Sequence, residues 1–503
     1  MKVIINILIG GQAGQGINKV SKIISSIVAK KGYYTFNYRD YPSLIRGGHN
    51  FNILTISDER INSYTNKIDF ILALDIDTTK IHENKLNRNC IVLNFQSFIG
   101  LGRNTNVALA GALIKLLGIE KQDLLNEIKK EFGTKEAEHA AEKGYDSQGS
   151  IIKYHLKKLK NKINILDGSE GVAIGAVNSG LNVYFAYPMT PATPLMNDLA
   201  RKVLVIQPES EIAVINAALG ASFAGAKVMI GTSGGGFDLM TEGLSFQGMS
   251  EVPLVVYLAS RPGPSTGVPT YSGQSDLNIA LRGGHGEFPR VVVAPGDPVE
   301  CIEKTNESFY LAEKFKCLSI ILSDKHLAEG EYGSDSKPNR SIKFSVARKI
   351  PGEGLVRATS YEHDKYGNTT EDSVIVKKNN EARLLKYSKI KKEVKKFEMI
   401  KVHGKKNSKN LVIGFGSTKG VILDAIKDLD YKFLQVLYLM PMSSRIKKEI
   451  QKAKKVVLVE NNLTGQLGRL IRERTGIQIE KRILKYDGRP FLADELRKEL
   501  GKI

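Results

Sequence analysis

The chain has 503 residues, 42% hydrophobic and 25% charged, the proportions of a soluble globular protein with material for about three domains. No apolar run reaches the roughly 18 residues that span a bilayer. Its three cysteines, Cys90, Cys301 and Cys317, form no CxxC pair, which excludes an iron–sulfur or zinc motif of its own and fits a reducing, cytoplasmic setting.

The net charge is +20, and it is concentrated. Residues 377–406 hold twelve Lys and Arg against Glu381, Glu393 and Glu398, for +9, and residues 151–162 add five Lys and no acid. Both tracts read as solvated segments between domains or as surfaces for an acidic partner subunit or anionic cofactor. No zinc-finger, RRM-type or helix-turn-helix pattern accompanies them, so no nucleic-acid partner is expected.

In chain order, residues 2–9 form a short apolar run ended by Gly10-Gly11. It has no small-residue cleavage site and reads as a strand, not a signal peptide. Ile17, Val20, Ile23, Ile24, Ile27 and Val28 follow at helical spacing. Residues 33–38, 51–56, 70–74 and 90–94 read as strands, so a parallel α/β sheet is expected over 1–163. A second α/β block covers 164–348. It has a small-residue helix at 171–180, strands at 183–187, 227–232, 255–260, 291–294 and 318–322, and an Ala-rich helix at 213–224. Residues 349–399 are the least regular stretch and read as a Lys-rich linker. A third alternating block, 400–503, has strands at 411–415, 432–439 and 455–459.

Several loops carry residue types suited to chemistry. Gly11-Gln12-Ala13-Gly14-Gln15-Gly16 lies between a strand and a helix. Gly11, Gly14 and Gly16 would let backbone approach an anion at the helix start, or merely make a tight turn. The spacing is not G-x-G-x-x-G. In Tyr41-Pro42-Ser43-Leu44-Ile45-Arg46-Gly47-Gly48-His49, the fork of Arg46 could grip an anion, or the loop could be structural. Tyr187-Pro188-Met189-Thr190-Pro191 ends a strand, where open α/β sheets bind ligands. Its two prolines fix the loop around Thr190. Glu209 and Glu211 precede the Ala-rich helix as dipole partners, or one of them is a buried catalytic carboxyl. Arg261 enters Pro262-Gly263-Pro264-Ser265-Thr266-Gly267, a rigid loop suited to a small carboxylate or anchored by a surface salt bridge.

Together these motifs resemble one family, the α subunit of 2-oxoacid:ferredoxin (acceptor) oxidoreductases with the γ domain fused at the N-terminus. To those quoted above are added Thr232-Ser233-Gly234-Gly235-Gly236-Phe237, Gln274-Ser275-Asp276-Leu277, Ser323-Asp324-Lys325-His326, Glu362-His363-Asp364 and Glu460-Asn461-Asn462 with Gly465-Gln466-Leu467. They stand in family order across nearly the whole chain, and the run 261–277 is the most specific.

The resemblance implies three α/β domains around the linker: a Rossmann-like γ domain, a thiamine pyrimidine-binding-type domain and a transketolase C-terminal-like domain. It implies oxidative decarboxylation of a 2-oxoacid to acyl-CoA and CO2. Thiamine diphosphate would be the cofactor, coenzyme A the cosubstrate and ferredoxin the electron acceptor. 2-Oxoglutarate is favoured, with pyruvate and branched-chain acids open. A separate β subunit would supply the Mg2+ site and the [4Fe-4S] clusters, in an (αβ) or (αβ)2 assembly, leaving no metal ligand set on this chain. Carried over by motif, Glu211 would hydrogen-bond the pyrimidine ring of the cofactor and drive ylid formation. Thr190 and Arg261 would hold the substrate carboxylate, within a substrate loop set that includes Tyr187, Pro188, Met189, Ser265 and Thr266. Gly11, Gly14, Gly16 and Arg46 would lie near the coenzyme A path.

Three departures stand out: Gly168-Ser169-Glu170-Gly171 for the family's Gly-Asn-Glu-Ala, Ser233-Gly234-Gly235-Gly236 for Ser-Gly-Pro-Gly, and Tyr271-Ser272-Gly273 for a more polar stretch. The first two bear on loop geometry and the third on specificity. The competing expectation is a non-catalytic adaptor that keeps the fold and binds a partner subunit.

Overall fold

The computed structural model describes residues 3–42, 48–345, 348–354 and 356–503. They form two compact units: Met1–Leu166 with Gly330–Ser336 and Leu492–Lys498, and Asp167–Glu329 with Lys337–Phe491 and Glu499–Ile503. No helix among the described residues is long and apolar enough to cross a membrane.

The first unit is built on a seven-stranded sheet, in the order Leu86–Asn94, Ile68–Ala73, Ile4–Gln12, His49–Ser57, Tyr34–Asp40, Glu331–Ser334, Asn164–Asp167. Ile4–Gln12 is buried along nearly its whole length. The helix Ile17–Lys30 buries the six apolar residues that the spacing marks out. The expected all-parallel sheet is corrected to a mixed one. Ile4–Gln12, Ile68–Ala73 and Leu86–Asn94 run parallel, but His49–Ser57 is antiparallel to both of its neighbours. The reason is chain length: Tyr34–Asp40 and His49–Ser57 are eight residues apart, too few for the dozen or more a parallel crossover needs. The helices Thr105–Leu116 and Lys135–Asp146 touch backbone to backbone, because a Cβ on Gly144 would fall 1.9 Å from the Ala108 carbonyl oxygen.

The second unit holds two sheets. The larger runs Tyr438–Met440, Arg290–Val293, Leu318–Asp324, Leu254–Ser260, Val228–Thr232, Val183–Phe185, Leu204–Ile206. It is parallel except for Tyr438–Met440 at its edge. Leu254–Ser260 and Leu318–Asp324 are buried throughout, which is why they read as unbroken apolar runs. The small-residue helix, observed as Gly168–Asn178, lies against the helix Pro298–Phe315. A Cβ on Gly171 would sit 2.4 Å from the Pro298 carbonyl oxygen. The smaller sheet runs Ile400–Gly404, Lys432–Val436, Asn410–Gly414, Lys455–Glu460, Lys481–Leu484. One continuous apolar core joins the two sheets.

A buried carboxylate also ties them. Glu300 accepts from the Gly296 N–H at 2.8 Å, Gln435 Nε2 at 2.6 Å, Lys419 Nζ at 2.6 Å and Lys401 Nζ at 3.1 Å. Burial opposes its charge, but the two ammonium groups and the backbone donor hold its carboxyl far below the usual carboxylate range.

The stretch expected to be irregular contains a 21-residue helix, Ser373–Glu393, capped by the Asp372 side chain at the Val374 and Ile375 N–H groups. Ile390 is its one buried residue, and Val374, Leu384 and Leu385 are exposed. Its apolar residues therefore share no face, and the helical period is absent from the sequence.

Candidate active site

In the larger sheet of the second unit, Val183–Phe185, Val228–Thr232 and Leu254–Ser260 are consecutive parallel neighbours. Their carboxyl ends deliver three loops to one place: Tyr187–Pro191, Ser233–Gly236 and the loop that starts at Arg261. The helix Glu211–Phe223 starts there too, capped by Ser210, whose Oγ accepts from the Ala213 N–H at 3.2 Å.

That cap separates the two glutamates. Glu209 is exposed, whereas Glu211 is 4% exposed. Glu211 Oε1 is buried with no hydrogen-bond partner among the described residues, and so is Ser233 Oγ. Gly236 lies directly against this carboxyl: a Cβ there would come 2.1 Å from Thr232 Oγ1 and 2.7 Å from Glu211 Oε1. A buried acceptor without a partner costs about 1–3 kcal/mol, so the arrangement suits a ligand that supplies the missing donor.

Arg261 Nη1 donates to the Thr190 carbonyl at 3.0 Å. Thr190 is thus joined to Arg261 through its backbone, and its hydroxyl lies outside this contact. Burial pulls the guanidinium below its ordinary value, and the charges of Asp276 and Glu211 oppose that pull. A guanidinium facing two carboxylates keeps its charge in this half-buried setting. Asp276 stands in the Gln274–Leu277 motif, but the sequence assigns it no role. Its carboxyl lies 2.6 Å from where a Cβ on Gly234 would stand. Burial pushes it up to about 6, against the pull of the Ser260 and Ser275 hydroxyls.

The other expected residues line the rim. Tyr187, Pro188, Ser265 and Thr266 are exposed, and Met189 is half-buried with its sulfur 4.0 Å from Thr232 Oγ1. Thr190–Pro191 and Gly263–Pro264 are cis peptides. The far end of the Arg261 loop is held by Gln274. Its N–H donates to the Asn461 carbonyl at 2.7 Å, and its Oε1 accepts from the Asn461 N–H at 3.0 Å. Its Nε2 donates to the Phe415 carbonyl at 2.9 Å. Asn462 Nδ2 donates to the Gln274 carbonyl at 3.3 Å and to Glu460 Oε2 at 2.7 Å. The last block therefore buttresses the loop.

In the first unit, the glycine loop closes on itself: Gln15 Oε1 accepts from the Gln12 N–H at 2.7 Å. Gly16 adopts φ 80° with no side-chain cap on the helix that follows, and Gly14 has φ 90° with open space beside it. Gly11 has no room for a Cβ, which would fall 2.3 Å from Gln15 Oε1. Arg46 lies outside the described residues, as do Ser43 and Gly47. Beside the loop is a pair that sequence reading misses. His49 Nε2 lies 3.0 Å from His82 Nε2, and His49 Nδ1 is 3.8 Å from Asp75 Oδ2. Burial, Lys85 and His49 lower His82 to about 3, and burial also lowers His49. Both rings are therefore neutral near pH 7, one donating to the other. Among the described residues no group of three or more His, Cys, Asp or Glu gathers to hold a metal ion.

Residues 174–398 match the family model described as pyruvate flavodoxin/ferredoxin oxidoreductase, thiamine diP-binding. Residues 6–98 match that of pyruvate ferredoxin/flavodoxin oxidoreductase. The chain is 31% identical to the 2-oxoacid:ferredoxin oxidoreductase subunit alpha of a Sulfolobus species, over 99% of this chain and 96% of the relative. It is also 31% identical to the 2-oxoglutarate synthase subunit KorA of Methanocaldococcus jannaschii, over 61% of this chain and 90% of the relative. Its fold is similar, with a TM-score of 0.89 over the whole of both chains and 26% identity, to a 2-oxoglutarate:ferredoxin oxidoreductase from Magnetococcus marinus solved with 2-oxoglutarate, coenzyme A and succinyl-CoA bound. The chain belongs to the family of 2-oxoacid:ferredoxin oxidoreductase alpha subunits.

Proposed function

We propose that the chain is the alpha subunit of an enzyme that oxidatively decarboxylates 2-oxoglutarate to succinyl-CoA and CO2, with ferredoxin as acceptor. In this reading a separate β subunit carries Mg2+ and the [4Fe-4S] clusters. The observation that carries it is the orphaned, buried Oε1 of Glu211 within reach of Arg261's field, at the carboxyl ends of adjacent parallel strands. The 2-oxoglutarate preference is supported by the KorA relatives and by the ligands of the Magnetococcus marinus structure.

Bound thiamine diphosphate supplies an electron sink for the carbanion chemistry of decarboxylation. Glu211 Oε1 would hold or accept a proton at a ring nitrogen of that cofactor, which satisfies the buried oxygen. The absent Cβ of Gly236 leaves room beside it. Arg261 would bind the substrate carboxylate through a charge-assisted pair. Its guanidinium is held in place by the Thr190 carbonyl, and Thr190 itself would bound the same pocket from the neighbouring strand. Tyr187, Pro188, Met189, Ser265 and Thr266 would form the rim that excludes water. The Gly11, Gly14 and Gly16 backbone, with Arg46, would serve coenzyme A.

The test is purification of the chain with its β partner and measurement of viologen reduction. Turnover with 2-oxoglutarate and coenzyme A, at a higher kcat/KM than with pyruvate or branched-chain 2-oxoacids, is expected. Glu211→Ala should lower kcat by at least about a hundredfold and leave the complex intact. Arg261→Lys should act chiefly on KM. A complex that binds no thiamine diphosphate, or full turnover by Glu211→Ala, refutes the reading.

A further inference from the structure

A pocket of about 420 Å³ lies in the second unit, at the amino edge of its larger sheet. Val252 and Pro253 line it just before the strand Leu254–Ser260, and Lys316 just before Leu318–Asp324. Arg261 stands at the other end of that seven-residue strand, about 20 Å away at 3.3 Å per residue. The pocket is separate from the catalytic loops.

Five cations line it, Lys316, Arg348, Lys349, Arg357 and Lys365, with Glu251 the sole acid of the lining. Two of these six charges are used locally. Glu251 pairs with Lys386. Arg348 donates to the carbonyls of Ser222, Gly225 and Ala226, each at 2.9 Å, and pairs with Glu313 at 3.3 Å. The remaining four have no ion pair among the described residues. Arg357 donates only to the Asp364 carbonyl at 3.1 Å, and Lys365 sits 4.8 Å from the Tyr366 ring.

The simplest account is that these cations neutralise helix ends. Three helices do finish here, Glu211–Phe223, Thr241–Ser250 and Pro298–Phe315. At about half a negative charge each, they offset less than half of the four unpaired cations, and Arg348 already occupies the first of them. The backbone adds a second observation. Three non-glycine residues among those described have positive φ, and two of them, Glu251 at 54° and Lys316 at 49°, line this pocket. Glycine is the residue suited to a left-handed helix end. At the end of Pro298–Phe315 the chain instead places the Lys316 ammonium group, on the lining of a basic cavity, and strain of this kind collects at binding sites.

We propose that this pocket binds a small, multiply charged anion bearing a polyphosphate. Its volume falls within the range of small-molecule sites, and four point or forked cations around a concavity match three or four phosphate charges. The linker residues Lys349, Arg357 and Lys365 would be drawn onto the sheet edge by the anion.

The test is isothermal titration of the full chain with inorganic tripolyphosphate, and with ATP in parallel, at low and at physiological salt. Saturable one-to-one binding that weakens as salt rises is expected. The double variant Arg357→Ala/Lys365→Ala should bind at least tenfold more weakly. Lys316→Gly, which relieves the backbone and so folds at least as well, should also weaken binding while leaving 2-oxoacid turnover unchanged. Tighter binding of ATP than of tripolyphosphate, or equal binding, supports the proposal, the first extending it to a nucleotide. No saturable binding at about 1 mM ligand, equal affinity in wild type and variants, or capture of an acidic protein without tripolyphosphate binding, overturns it.

Discussion

Asp276 is a carboxyl whose ionisation the fold resists. Burial raises it from the ordinary range to about 6, so the folded state holds its proton longer than the unfolded state does. The stabilising contribution is complete below pH 4. It declines as pH rises from about 4, where the unfolded chain ionises, to about 6, where the folded one does. Two pKa units correspond to about 3 kcal/mol. Asp276→Asn should therefore gain about 2–3 kcal/mol over wild type at pH 8 and little at pH 4.5, as measured by denaturant unfolding at both values. A constant difference across pH would show that Asp276 is not the group concerned. The residues that sequence reading brought forward share a trait. Thr190, Glu211 and Arg261 each adjoin a local signal, a Pro-bounded loop, the start of an Ala-rich helix or a Pro-Gly-Pro run. His82 and Asp75 have no such neighbour. They meet His49 only because the sheet places Ile4–Gln12 between His49–Ser57 and Ile68–Ala73, an arrangement that no local window contains.

At the scale of elements, strands and amphipathic helices were legible wherever apolar period and breakers coincided, as in Ile17–Lys30. Two features were not. The pairing direction of His49–Ser57 depends on connection length, which overrides the prior for alternating strands and helices. The helix Ser373–Glu393 has no apolar face to read, and salt bridges hold it instead: Arg383 to Glu362 at 2.6 Å, and Lys386 to Glu251. Glu300 ties the helix Pro298–Phe315 to the smaller sheet. Glu300→Gln keeps the shape but leaves Lys419 with only Asp297 and Lys401 with only Glu398 as acidic partners, and weakening a buried ion group in this way costs at most about 3–5 kcal/mol. The loss should be largest at neutral pH and shrink as pH falls below about 4.5, where the unfolded chain's glutamate takes up a proton that the folded carboxylate still refuses. Equal stability of the variant at pH 7 would mean that the network contributes nothing net.

Among the described residues each unit has an apolar core of its own. Heat should therefore not unfold it in a single step. Ile24→Ala in the first core and Leu244→Ala in the second, both at fully buried positions, should each cost about 2–5 kcal/mol. Calorimetry should show each variant lowering a different transition. If both lower one common transition, the units melt as one.

Gln274 gives the last block a role beyond packing. Three hydrogen bonds join Gln274, at the end of the Arg261 loop, to Asn461 and Asn462, and a fourth joins it to the Phe415 carbonyl. The smaller sheet thus acts as a jig for a loop that belongs to the larger one. Changes at Asn461 or Phe415 could re-aim the candidate substrate grip while every group that would touch substrate stays the same. Selectivity among 2-oxoacids would then be adjustable from outside the pocket, by residues that a comparison of pocket linings would pass over.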